Sequence, residues 1–294
     1  MIFEYLPTNI TQDVERLHLV CSTLPITKVL IPSNPVSKPY PDPLNIVATL
    51  RDLTWQSKHL RHIHFIPTIK TSIYTQEALQ SIFLSLEYLN ISHVAIISGD
   101  TTQSKSLTTY NALEILKHMQ KKSTFLSNLQ LYCALESDIS LRNNYGLCKK
   151  IYYGVQNFIT QPFYQVSKKQ NMPQIPHNTL NFLPQVTTDF ETFLSFYKNL
   201  IHIYTNNKPS LTSLYNKIQI YCGFLPLSHT KQAHAIHAKK LGISVPNSYI
   251  NAIEKNAKEA NSKLFKAMQQ YDVSLSCLCF SDIEALLTCD SKIN

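Results

Sequence analysis

The feature that most constrains this chain is an alternation that runs almost from end to end. Short β-rich runs recur at Ile2–Leu6, Lys28–Ile31, His62–Ile66, His93–Ser98, Leu129–Ala134, Asn157–Thr160, Lys217–Phe224 and Val273–Phe280. Helical patterns fill the gaps, near 11–23, 44–53, 75–90, 107–120, 140–153, 188–205, 230–241 and 248–271, with a last one over 281–289. Strands separated by helices must pair in parallel through right-handed crossovers. Eight such units close into a (β/α)₈ TIM barrel, and 294 residues is an ordinary length for one. The expectation is therefore an α/β fold, a single barrel domain over residues 1–294. An open doubly wound sheet is the rival, but it usually carries a glycine-rich turn after its first strand. This chain has only 5 glycines and no G-x-G-x-x-G or Walker A pattern, so a Gly-rich phosphate cradle is not expected.

Local signals support the helices. Thr75 is placed to cap the helix near 75, Glu77 falls in its first turn, and Ala78, Ile82, Leu86 and Leu89 recur at helical spacing. The helix from Ser248 to Tyr271 shows Ile253, Ala257, Leu264 and Met268 near one stripe. The Pro-, Gln-, Asn- and Lys-rich segment 165–187 reads as a long loop after the sixth strand, on the face where barrel enzymes keep their sites.

Composition narrows the function classes. No apolar stretch approaches the roughly 20 residues that span a bilayer, so no membrane partner is expected. The N-terminus lacks the basic and apolar regions of a signal peptide, and the 7 cysteines have no C-x-x-C spacing, so reduced thiols in a cytoplasmic protein are expected. Net charge is +8, but the lysine pairs are scattered instead of forming a run, which disfavours nucleic acid. Such a barrel suits anionic small ligands, dinucleotides and polyglutamates among them. Two histidine groups, His59/His62/His64 and His229/His234/His237, have no Cys or acid in ligand spacing, so no metal site is expected.

The strand ends carry more specific motifs. The first strand reads Phe3-Glu4-Tyr5-Leu6-Pro7, and the fourth ends in Ser98-Gly99-Asp100. The sixth carries Lys149-Lys150, Gly154 and then Phe158-Ile159-Thr160-Gln161-Pro162-Phe163. The seventh reads Gly223-Phe224-Leu225-Pro226-Leu227-Ser228, and Val245-Pro246 follows the next helix. In order and spacing these resemble the methylenetetrahydrofolate reductases, with their F-E-[FY]-x-P opening, R-G-D strand end, K-x-x-G-A…T-Q-x-F segment and G-I-x-P turn. The resemblance implies reduction of 5,10-methylenetetrahydrofolate to 5-methyltetrahydrofolate, with NAD(P)H delivering hydride through FAD. It leaves room for a homo-oligomer or a partner subunit.

By this resemblance Glu4 is the acid that protonates the leaving folate nitrogen, which needs a carboxyl kept protonated near neutral pH by burial. The bland alternative is a solvated glutamate on an N-terminal edge. Gln161 is the folate contact, since an amide both donates and accepts; otherwise it bonds a loop. Asp100 stands beside flavin and folate, or else caps a helix. Lys150 maps near the flavin, or is a surface lysine. The chain departs from the family pattern where Pro67-Thr68 replaces Pro-His, Ser98 replaces arginine and Ala134-Leu135-Glu136 replaces Tyr-Pro-Glu. Asp138 stands in place of a histidine, and Ser276–Ser281 lacks the closing aromatic-Thr-Leu-Asn-Arg. Ser33, Thr68 and Lys150 are the candidates to compensate at the cofactor. Two further readings follow: a flavin-free folate-binding barrel, and a non-enzymatic binding or regulatory barrel.

Overall fold

In a computed structural model of the chain, the described residues are 1–35, 39–99, 106–135, 138–139, 141–164, 185–186, 190–206, 217–238, 243–271, 274–279 and 283–289. The strands are β1 (Ile2–Tyr5), β2 (Lys28–Ile31), β3 (His64–Lys70), β4 (His93–Ile97) and β5 (Gln130–Leu135). Then come β6 (Asp138–Ile139), β7 (Asn157–Pro162), β8 (Gln185–Val186), β9 (Gln219–Phe224) and β10 (Ser274–Cys279). Eight of them form one closed sheet in the order β1-β10-β9-β7-β5-β4-β3-β2. The fold is the expected (β/α)₈ barrel. The helices that matter below are α1 (Ile10–Thr23), α2 (Pro43–Thr54), α3 (Gln76–Tyr88), α4 (Thr109–Gln120), α5 (Thr124–Ser127) and α6 (Leu141–Tyr152). They are followed by α7 (Phe190–Asn206), α8 (Thr230–Ala238), α9 (Asn247–Gln269) and α10 (Ile283–Leu287).

The chain divides into two compact units. The first holds Met1–Ala134 with Tyr153–Asn157 and Cys279–Ser281; the second holds Leu135–Tyr152, Phe158–Leu278 and Asp282–Asn294. In the first, β1 to β5 pair in parallel, with Glu4 opposite Leu30, Leu30 opposite Ile66, and Thr68 opposite Ala95. The face of each strand follows from β1. The Tyr5 hydroxyl donates to Asp13 of α1 at 2.5 Å, so Phe3 and Tyr5 face the helices. Alternation then turns Ile2 and Glu4 to the inner face. Register carries that face to Lys28 and Leu30, to His64, Ile66, Thr68 and Lys70, to His93, Ala95 and Ile97, and to Gln130 and Tyr132. The helix-facing side buries Phe3, Val29, Ile31, Phe65, Ile69, Val94, Ile96 and Leu131 against Leu17, Val20, Val47, Leu50, Leu79 and Phe83.

Several elements differ from expectation. β3 runs on past Ile66 to Lys70 because Pro67 falls where the ladder to β2 ends; pairing to β4 continues from Thr68. In α3 Thr75 caps as expected, accepting from the Ala78 amide at 3.2 Å, but the buried stripe is Leu79, Phe83 and Leu86, rotated from the Ala78–Ile82 line. The long helix α9 breaks at Asn256 (φ −162°, ψ 97°), whose side chain accepts from the Glu259 amide at 3.1 Å and starts a second helix. That break takes Ala257 off the buried face, which holds Ile253, Ala260, Leu264 and Met268. In the second unit β6 and β8 add a small antiparallel pair that the pattern did not foretell. The rest of the 165–187 segment lies outside the described residues.

Among the described residues no helix is long and apolar enough to cross a membrane, and no group of three His, Cys, Asp or Glu side chains is placed to hold a metal ion. Among the described residues Cys21, Cys133, Cys148, Cys222 and Cys289 form no disulfide.

Candidate functional site

The C-terminal ends of β1 to β4 gather the first unit's candidates. Glu4 projects from the inner face one residue before β1 ends. Its surface stays partly open to water, but protein surrounds it, and the resulting desolvation pushes its carboxyl up to about 7. Glu4 therefore sits half-buried on a paired strand. Thr68 lies two positions beyond Ile66 on the inner face of β3, 5% exposed, and its hydroxyl has no hydrogen-bond partner. A buried polar atom without a partner is rare and costs free energy, which makes the inward-facing Thr68 hydroxyl a candidate to meet a ligand group. Ser33 is buried two residues past β2. Ser72, just beyond β3, carries a second buried hydroxyl without a partner.

Two residues at this end escaped sequence reasoning. Lys70 is 5% exposed, next along the inner face from Thr68. Its aliphatic stem lies where a side chain on residue 99 would go; Gly99, at φ +90°, leaves that room. Ending β3 at Ile66 hid Lys70, since alternation past Pro67 would have put it in line with Thr68. The second is Ser98 in its anchoring role; it stands where the reductases that the chain resembles carry arginine. Its hydroxyl lies 2.8 Å from the Thr109 hydroxyl and accepts from the Thr109 amide at 3.1 Å, so it ties β4 to the start of α4. Asp100, expected beside folate and flavin, lies outside the described residues.

The second unit holds the other two candidates. Gln161 is exposed near the end of β7. Gly223 of β9 lets that strand press close: a Cβ there would stand 2.7 Å from the Gln161 backbone, and its amide donates to Thr160 Oγ1 at 2.9 Å. Lys150 stands with Lys149 in the last turn of α6, before the turn into β7, where positive charge complements the carbonyl end of the helix. Within this unit Lys150 is near the entry of β7 and Gln161 near its exit, so the structure does not bring the two together. Tyr164, buried four residues past Thr160, adds another hydroxyl without a partner.

The opposite ends of β2 to β5 hold a basic cluster that the strand patterns do not single out. Lys28, His64 and His93 open their strands on the inner face. The His64 and His93 rings lie 4.4 Å apart, His93 Nδ1 is 3.0 Å from the Tyr132 hydroxyl, and the Lys28 ammonium sits 5.7 Å from the Tyr132 ring centre. Burial, then His64 and Lys28, push His93 down to about 3. A signal was available: polar residues at the first inward position of three successive strands.

No family model and no curated protein sequence matches this chain. Among solved structures it is similar to an uncharacterized protein from Clostridium thermocellum described as binding two copies of 5-methyl-5,6,7,8-tetrahydrofolic acid. The TM-score is 0.57 at 14% identity, over 98% of this chain and 92% of that one. At this identity the likeness concerns the fold.

Proposed function

We propose that the chain binds a reduced folate at the C-terminal end of its strands and that Glu4 serves as proton donor in reducing 5,10-methylenetetrahydrofolate. The observation that carries this is Glu4 itself: an inward-facing carboxyl, surrounded by protein and held up to about 7, keeps a proton near neutral pH. The strand-end motifs supply the substrate class, and the described ligand of the Clostridium thermocellum structure is of the same class. In the proposed step the bond between the bridging carbon and one folate nitrogen breaks, and the Glu4 proton goes to that nitrogen. The iminium carbon left behind accepts hydride and becomes the methyl group. FAD, recharged by NAD(P)H, would supply that hydride when bound. The unpartnered Thr68 hydroxyl and buried Ser33 would help hold the cofactor.

One observation favours a second reading, a folate-binding barrel that works without flavin. Where the family carries arginine, Ser98 is committed to Thr109. A hydrogen bond to a charged group is worth about 1.5–3 kcal/mol, so losing two would weaken the cofactor by roughly 10²–10⁴-fold.

Reconstitution separates the two. The protein is titrated with FAD, then NADH, then methylenetetrahydrofolate, as wild type and as Glu4→Gln. The reductase reading expects NADH to bleach the flavin, folate to restore its colour, and only the second step to fail in the variant. Absence of FAD binding, with 5-methyltetrahydrofolate still bound by calorimetry, would establish the flavin-free reading; absence of both sinks the folate assignment.

A further inference from the structure

We infer that a second ligand site lies at the strand-entry end of the first unit, a cleft that binds a nucleotide. The cleft is formed by the end of α2, the segment leading into β3, the turn from α3 and the starts of β3 and β4. Arg51, Arg61, His64 and His93 line it, and none of its lining residues is acidic. Lys28 stands next to the two histidines, close enough for its charge to depress both. Glu87 of α3 already accepts a hydrogen bond from the Ser123 hydroxyl at 2.7 Å.

The arginines have donors to spare. Arg51 gives one N–H to the Leu89 carbonyl at 2.7 Å, and Arg61 gives its Nε–H to His62 at 3.0 Å. A guanidinium carries five N–H donors in a planar fork suited to phosphate, so each retains most of them. The C-termini of α2 and α3 contribute roughly half a negative charge each, less than the two arginines supply in positive charge. The same cleft is lined by Trp55, whose side chain is 75% exposed. A bare indole beside two guanidinium groups offers a stacking face next to a phosphate fork, and a nucleotide has the base and the phosphates to use both. The site is separate from Glu4, Thr68 and Ser33, and it stands whether or not the reductase reading does.

Trp55 is the one tryptophan of the chain, so it reports on its own site. The full-length protein is titrated with ATP, adenosine and tripolyphosphate while the indole fluorescence is followed. ATP should quench it saturably at sub-millimolar concentration. Tripolyphosphate should compete without quenching, and adenosine alone should bind at least tenfold more weakly than ATP. Arg61 is exposed, so Arg61→Glu should fold with an unchanged circular dichroism spectrum and weaken ATP at least tenfold. Lys258→Glu, the same charge change on exposed α9 surface, should alter it less than twofold. Should Arg61→Glu misfold, Arg61→Ala takes its place with the same expectation. The site is overturned by lack of saturable quenching up to about 5 mM ATP, roughly tenfold above the expected range. Equal weakening by Arg61→Glu and Lys258→Glu overturns it too, since that is diffuse charge attraction.

Discussion

The two ends of the first unit's strands apply one physical rule with opposite sign. At the exit end a carboxyl, Glu4, is pushed up to about 7; at the entry end an imidazole, His93, is pushed down to about 3. Burial comes first among the causes in both cases, and it favours the neutral form of each. The consequences diverge. A neutral carboxyl can donate a proton, the role proposed for Glu4 at the exit end. A neutral imidazole between Lys28, His64 and Tyr132 is a quiet one, so the entry end keeps its charge on the outer arginines.

The largest expected effect tests whether the exit end is chemical at all. Glu4→Gln should slow folate reduction by about 10²–10⁴-fold, the usual contribution of a general acid, and leave flavin reduction by NADH unchanged in single-turnover absorbance traces. Equal loss in both half-reactions would make Glu4 a structural residue.

Next in size are the pH effects on stability, where the two ends should part. Glu4 in the folded chain holds its proton to about 7, against 4.5 in its ordinary setting. The folded state therefore binds more protons between those values, and the carboxyl costs stability as pH rises from 4.5 through 7. Glu4→Gln should remove that cost and raise urea-unfolding stability at pH 8 by up to about 3 kcal/mol relative to pH 4.5. His93 behaves in reverse. Its ordinary value of 6.5 falls to about 3 on folding, so the unfolded state binds more protons between them. Stability should then drop as pH falls from 6.5 toward 3, with Lys28 and His64 facing the new charge. His93→Gln should flatten that slope in acid titrations followed by circular dichroism. Parallel pH profiles for the two variants would erase the contrast.

The smallest effect sharpens the picture of the exit end. Thr68→Val swaps an unpartnered buried hydroxyl for a methyl of similar shape, so stability should change by less than about 1 kcal/mol. FAD or folate affinity should fall about fivefold to tenfold if the hydroxyl awaits a ligand. Unchanged affinity would leave Thr68 as packing alone.

Sequence made the barrel legible because its signals are periodic and local. Strand starts at Ile2, Lys28, His93 and Asn157 fall where the β-rich runs begin, and Thr75 caps as its type demands. Errors came where a residue has two uses. Pro67 reads as a strand end, yet it sits where one ladder stops and another goes on. Asn256 reads as a helical residue, yet it caps a second helix. The site was legible only through strand-end residues such as Glu4 and Thr68. Lys70 and the Lys28–His64–His93–Tyr132 cluster depend on register between strands far apart in sequence, which a single strand's pattern does not contain.

The Ser98–Thr109 link has a consequence for how this protein could change. Its side chain fills the role of a helix anchor, where the similar family keeps a cation. An arginine placed at 98 would remove the acceptor of the Thr109 amide and crowd the buried Thr109 hydroxyl. The two positions are therefore coupled: a larger side chain at 98 would call for a smaller one at 109, so neither can change freely while the other stays.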